Sequence, residues 1–177
     1  MSETDDLRPP EDWVQRHMHL IPNGGAVLDL AAGRGRHSHF LADAGYKVTA
    51  ADRDVSAFDG LAGIRAVRID LEADAGPFAD AEFAGIVVTN YLHRPLFSHL
   101  IDALAEGGVL LYQTFAAGNE AYGRPKNPAF LLRPGELLDA FTPALTVIAY
   151  QHGIIGRPDP AVIQRIAAVK SVAPQAL

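Results

Sequence analysis

The sequence contains no cysteine. That excludes disulfides, a thiolate nucleophile and cysteine-held zinc. It has no apolar run near the roughly 18–20 residues a membrane helix requires, so no membrane partner is expected. Its first residues, Ser2-Glu3-Thr4-Asp5-Asp6, lack the basic start and apolar middle of a secretory signal, and the expected location is cytoplasmic. Clustered positive charge is missing too: 15 Lys and Arg stand against 21 Asp and Glu, for a net charge of −6. Nucleic-acid affinity rests largely on a basic patch that neutralises phosphates, so no nucleic-acid partner is expected. The pairs His17-x-His19 and His37-x-His39 fall in predicted helices, where residues two apart diverge. No metal is expected.

What is present is a chain of 177 residues, 49% hydrophobic and 20% charged, a length that suits one domain. Residues 1–10 read as a loose tail ending at Pro9-Pro10, and 11–177 as a single domain. A short amphipathic helix is predicted around Trp13, Val14, Met18, Leu20 and Ile21, broken by Pro22-Asn23-Gly24-Gly25. Strands are predicted at 26–32, 46–51, 64–69, 83–89 and 109–115. Helices are expected from the glycine-rich turn after the first strand to near Gly45, from Pro95 to Gly107-Gly108, and around Leu137, Leu138 and Phe141. Strand-helix alternation of this kind implies a Rossmann-like α/β fold: a mostly parallel seven-stranded sheet with helices on both faces. The last two strands, 145–150 and 161–169, are too close for a parallel crossover, which needs a dozen or more residues. They are expected to form a C-terminal antiparallel hairpin that ends the sheet with one antiparallel edge strand. Gln151 to Pro160 would lie at the ligand edge or the opposite rim.

The densest chemical signal is VLDLAAGRGRHS, Val27 to Ser38. A strand enters a tight turn where Gly33 and Gly35 let the backbone approach a ligand, and a helix begins directly after. Asp29 stands four residues before Gly33. A carboxylate there would repel the pyrophosphate that such helix starts usually hold, whereas a sulfonium ligand with an α-amino group would be favoured by it. Asp52 ends the second strand, where a carboxylate can accept both hydroxyls of a ribose. Asp70 ends the third. Asp29, Asp52 and Asp70 therefore fall at the carboxyl ends of three successive strands, the edge where open α/β sheets bind ligands.

Asp29-Leu30-Ala31-Ala32-Gly33-Arg34-Gly35 resembles the first motif of class I S-adenosylmethionine-dependent methyltransferases. The form Gly33-Arg34-Gly35-Arg36-His37-Ser38 is especially similar to the small tellurite-resistance-type members, and the resemblance runs from about residue 12 to 170. Ala31 departs from it, standing where many members have a glycine. The resemblance implies S-adenosyl-L-methionine as cofactor, held by Asp29, Ala31, Gly33, Gly35, Asp52 with adjoining Arg53, Asp70, Leu71 and Asn90. In it an acid at Asp70 meets the adenine amino group and Leu71 flanks the ring. It further implies that Trp13 or Arg16 closes over the donor, Arg16 pairing the donor's carboxylate.

Residues after the fourth and fifth strands would face the transferred methyl. Asn90 and Tyr91 are expected to shape an acceptor pocket, and His93 is a candidate general base. The long loop 116–133 reads as an ordered lid, with Arg124 holding an anionic acceptor and Glu120 and Tyr122 as candidate proton acceptors. The expected reaction is methyl transfer to a small-molecule acceptor such as an oxyanion or thiol. Two other classes stay open. A nicotinamide-dependent oxidoreductase would use Gly33, Gly35 and Asp52 but leaves Asp29 and Asp70 without a role. A non-enzymatic S-adenosylmethionine-binding regulatory module would have no use for an acceptor lid.

Overall fold

A computed structural model describes residues 8–73, 78–156 and 159–171. Seven strands form one sheet: β1 (Ala26–Leu30), β2 (Lys47–Asp52), β3 (Ile64–Arg68), β4 (Phe83–Thr89), β5 (Leu104–Phe115), β6 (Thr146–Ile155) and β7 (Ala161–Val169). Four α-helices accompany them: α1 (Asp12–His17), α2 (Arg36–Asp43), α3 (Leu96–Ala103) and α4 (Glu136–Phe141). The sheet order is β3-β2-β1-β4-β5-β7-β6. The first five strands pair in parallel, and β7 runs antiparallel to both β5 and β6.

The alternation of side chains along each strand divides the apolar residues between two faces. Val27, Val87, Val109 and Leu111 pack with Trp13 and Val14 of α1 and Leu41 of α2. Leu28, Leu30, Ile86, Val88 and Leu110 pack with Leu96 and Leu100 of α3 and Leu137 and Phe141 of α4. Helices thus cover both faces, as the near-continuous hydrophobic strands require.

Three features depart from the sequence reading. The antiparallel strand is not at the edge: β7 is inserted between β5 and β6, and β6 is the edge. All nine residues of β7 are buried, whereas β6 carries five exposed ones, so the more apolar strand takes the inner place. β6 also runs on to Ile155, which brings the hairpin tip to the ligand edge, since Ile155 pairs with Ala161 and Phe115 with Ile163. Finally, α3 stops at Ala103, and β5 starts at Leu104, opposite Phe83. Lys170 Nζ donates to the carbonyls of Ile101 (2.9 Å) and Leu104 (2.7 Å), satisfying helix-end acceptors that have no partner within the helix.

Residues 1–7 of the expected tail lie outside the described residues. Residues 8–10 are tied down: Arg8 pairs with Asp159 at 3.2 Å, and the Pro9 carbonyl accepts from Arg36 at 3.3 Å.

Candidate active site

The turn after β1 is built on left-handed backbone at Ala31 (φ 54), Gly33 (φ 56) and Gly35 (φ 86). A Cβ on Gly33 would meet nothing within 4 Å, whereas one on Gly35 would lie 2.5 Å from the Phe58 ring. Gly33 therefore leaves an open approach to the backbone, and Gly35 is required by packing as well as by conformation. Ala31 adopts the same region despite its Cβ, so the turn forms without the glycine that many class I members carry there.

Asp29 is 1% exposed beneath this turn and accepts the Ser38 hydroxyl at 2.6 Å. Burial pushes its carboxyl up to about 6, against the opposing pull of the Ser38 hydrogen bonds and the Arg36 charge. Asp52 braces the turn directly. Its Oδ2 accepts the Gly33 N–H at 2.9 Å and its Oδ1 the Asp54 N–H at 3.1 Å. Asp70 Oδ1 accepts the N–H of Glu72 at 3.0 Å. Ala31, Asp52, Arg53, Ile69, Asp70, Leu71, Glu72 and Tyr91 line a cavity of about 110 Å³.

A second cavity, of about 310 Å³, opens at the ends of β4 and β5. Asn90, Gln113 and Phe115 form its floor, Asn119, Tyr122 and Arg124 of the long loop one wall, and Glu11, Ile155 and Asp159 another. Asn90 sits in left-handed backbone (φ 55), so the chain turns sharply as it leaves β4. Asn90 borders this cavity and Tyr91 the first.

The loop forming the wall is ordered by buried polar groups. Asn119, 1% exposed, accepts the Val162 N–H at 3.1 Å and donates to the Pro125 carbonyl at 3.3 Å. Arg94 donates to both Glu136 oxygens (2.5 and 3.0 Å) and to the carbonyls of Ala129 and Leu131.

Several side chains stand elsewhere than expected. Tyr91 lines the Asp52–Asp70 cavity, and burial followed by the Glu72 charge pushes its phenol up to about 12. It stays neutral near pH 7 and offers no base. His93 lines neither cavity, and its carbonyl accepts from the N–H of Leu96. Arg16 pairs with Asp12 one helical turn away and borders neither cavity. Trp13 is 1% exposed and donates to the Ile166 carbonyl at 3.1 Å, so it is core and not a closing flap. The apolar side of α1 is buried through Trp13 and Val14, whereas Arg16 stands exposed. Glu120 accepts from the Gly118 N–H in its own turn.

Sequence reading missed Glu11, His37 and Gln113. The Glu11 N–H donates to His37 Nε2 at 3.1 Å, and Glu11 Oε1 takes Arg36 at 2.7 Å. His37 is 2% exposed, and burial followed by the Arg36 charge lowers its pKa to about 3. These contacts join residues 25 and 26 apart, and no local pattern encodes them. Among the described residues no group of three or more His, Asp or Glu is placed to hold a metal ion.

Residues 12–76 match the family of the tellurite resistance protein TehB. A 71-residue segment, 40% of this chain, is 42% identical to the cypemycin N-terminal methyltransferase of a Streptomyces species. It spans little more than a quarter (28%) of that relative. The crystal structure of TehB from Haemophilus influenzae superposes with a TM-score of 0.70 at 22% identity, over 90% of this chain and 61% of that one. The 1,6-didemethyltoxoflavin-N1-methyltransferase of Burkholderia thailandensis, solved with S-adenosylhomocysteine, superposes at 0.66 and 22% identity, over 90% and 76% of the two chains. Residues 12–76 thus match the TehB family, and the chain has the fold of solved methyltransferases.

Proposed function

We propose that this protein transfers the methyl group of S-adenosylmethionine to a small-molecule acceptor. The observation that carries the reading is a pair of cavities bordered by the consecutive residues Asn90 and Tyr91. One is flanked by the glycine turn and two strand-end carboxylates, and the other is walled by an ordered loop. The residues present suit the donor. The open face at Gly33 admits a ligand against the backbone, Asp52 keeps lone pairs for ribose hydroxyls, and Ile69, Leu71 and Tyr91 offer apolar surface to a flat ring. Arg53 and Asp70 complete that wall. Asp29, mostly ionised near pH 7, places negative charge beneath the turn, favourable to a cationic ligand. An acceptor-side cavity also favours an enzyme over a regulatory module.

When bound, the sulfonium supplies an electrophilic methyl: the sulfur–carbon bond breaks as the nucleophile–carbon bond forms, and the electron pair stays on sulfur. The chain's own part is alignment and exclusion of water. Asn90 borders the second cavity beside Tyr91 of the first and is assigned to both sides. Tyr122 and Arg124 close the acceptor side, Arg124 holding an anionic group.

Calorimetry is expected to show one S-adenosylhomocysteine per chain with no competition from NADH. Tight NADH binding without S-adenosylhomocysteine binding would refute the proposal. Asp52→Ala should weaken S-adenosylhomocysteine binding by about 1.5–3 kcal/mol, the scale of a hydrogen bond to a charged group, or about 10- to 150-fold. An unchanged affinity in the folded variant removes Asp52 from the site. Arg124→Ala should lower turnover at least about tenfold, the effect of losing one charge-assisted contact, with donor affinity unaltered. Full activity in that variant would exclude Arg124 from the acceptor side.

A further inference from the structure

Gln113 is 2% exposed and lines the 310 Å³ cavity. Its amide cannot rotate freely. Arg165 Nη1 lies 3.3 Å from Gln113 Oε1, and a guanidinium only donates, so the amide oxygen must face it. Arg165 is itself held, by Nε to Gln151 Oε1 (2.8 Å), by Nη1 to Asp12 Oδ1 (2.8 Å), and over the Trp13 ring at 4.7 Å. Gln113, Arg165 and Gln151 are register partners across β5, β7 and β6, so the row is part of the sheet and cannot drift. The Gln113 NH₂ is left with no partner among the described residues, in a side chain otherwise fully enclosed. Among the described residues no buried side-chain nitrogen or oxygen lacks a partner, so this NH₂ is open to the cavity and free to donate to a ligand there.

The charges around the cavity point the same way. Arg8 is paired with Asp159 and Glu11 with Arg36. Arg124 has no partner among the described residues. The polar groups left for a ligand on these two side chains are therefore donors, one neutral and one cationic. The remaining lining includes Phe115, Ile155, Pro160, Ala161 and Ile163. A volume of about 310 Å³ lies at the lower end of ordinary small-molecule pockets, about 300–1,000 Å³, and far exceeds what a bare inorganic oxyanion fills.

We infer that Gln113 and Arg124 together grip a carboxylate on a small organic acceptor, whose apolar body lies along Phe115 and Ile163, with Arg165 as the positioning residue that turns the Gln113 amide. The inference rests on the methyltransferase reading and assigns the carboxylate as a handle, leaving the nucleophile elsewhere on the same molecule.

The test uses the full chain saturated with S-adenosylhomocysteine and three probes of one shape: benzoate, benzamide and benzylamine. Calorimetry should show benzoate binding at least about tenfold tighter than either of the others, as expected for a charge-assisted pair of donors. Gln113→Glu keeps an oxygen toward Arg165, so folding is preserved, but it replaces the donor with negative charge. Benzoate affinity should fall at least about tenfold and benzylamine should become the preferred probe, with S-adenosylhomocysteine affinity unchanged. In Arg165→Met the benzoate-to-benzamide preference should shrink toward unity, a change that loss of packing alone would not produce. Equal binding of the three probes to the wild type, or unaltered preference in Gln113→Glu, overturns the inference while bound S-adenosylhomocysteine keeps the donor reading intact. Failure of the wild type to bind S-adenosylhomocysteine overturns both.

Discussion

Replacing His37 with Gln should change how stability depends on pH, by about 2.5 kcal/mol between pH 6 and pH 4. His37 is enclosed, accepts the Glu11 N–H through Nε2, and faces Thr89 Oγ1 through Nδ1 at 3.4 Å. Protonation would put a second hydrogen where the Glu11 N–H already donates, beside the Arg36 guanidinium. Burial and that charge hold the imidazole near 3, against about 6.5 in an unfolded chain. A lowered histidine pKa means the unfolded state takes the proton first. The His37 contribution is therefore complete above about pH 6.5 and declines as pH falls toward 3, at about 1.4 kcal/mol per pH unit. Asp29 acts in the opposite sense. Its pKa is raised to about 6, so its contribution is present below about 3.8 and lost as pH rises through 6. In the wild type the two terms oppose each other between about pH 4 and 6. The difference between wild-type and His37→Gln unfolding free energies, measured by urea denaturation, isolates the histidine. Parallel profiles for the two proteins would show that His37 is not held neutral by the fold.

Glu136→Ala should destabilise the protein by about 1.5–3 kcal/mol, the scale for hydrogen bonds to a charged group, since Glu136 is buried but Arg94 is 36% exposed. Glu136 is 5% exposed and receives Arg94 through two hydrogen bonds and the Arg133 N–H at 2.7 Å. Burial raises its pKa, but the Arg94 hydrogen bonds and charge and the Arg133 N–H outweigh that, and the net shift is downward. Its contribution is thus present above the usual glutamate range and fades below it. Without Glu136 the Arg94 guanidinium keeps only the carbonyls of Ala129 and Leu131, and the segment before α3 loses its tie to the start of α4. The double variant Arg94→Met with Glu136→Leu should cost clearly less than the sum of the two single variants, because no unpaired charge remains. Urea unfolding with limited proteolysis across residues 116–133 measures both effects. An additive double variant would mean that the pair contributes no coupling.

The glycine turn and the strand-end acids were legible because their determinants are local. A strand, a turn requiring left-handed backbone and a following helix lie within Val27 to Ser38, and acids at strand ends mark where a parallel sheet exposes its carboxyl edge. The boundaries of β4 and β7 agree with the sequence reading to the residue, since a buried strand bounded by turn residues announces both ends. The second cavity was legible in part. Asn90, Tyr122 and Arg124 do meet around one cavity, because the ends of adjacent parallel strands must share an edge. Tyr91 and His93 do not join them: Tyr91 turns to the first cavity, and His93 lines neither.

Periodicity alone determined that the chain alternates strand and helix, that both sheet faces are covered, and where the glycine turn lies. Tertiary structure decided what alternation cannot encode. β7 inserts beside β5 because its residues are the more apolar and need a neighbour on each side. That insertion sets Arg165 against Gln113, 52 residues away, and against Asp12, 153 away. It also carries the hairpin tip to the ligand edge. The fixed amide of Gln113 in the second cavity is a product of sheet order, and sheet order depends on which buried surfaces fit together, not on the pattern within any one segment.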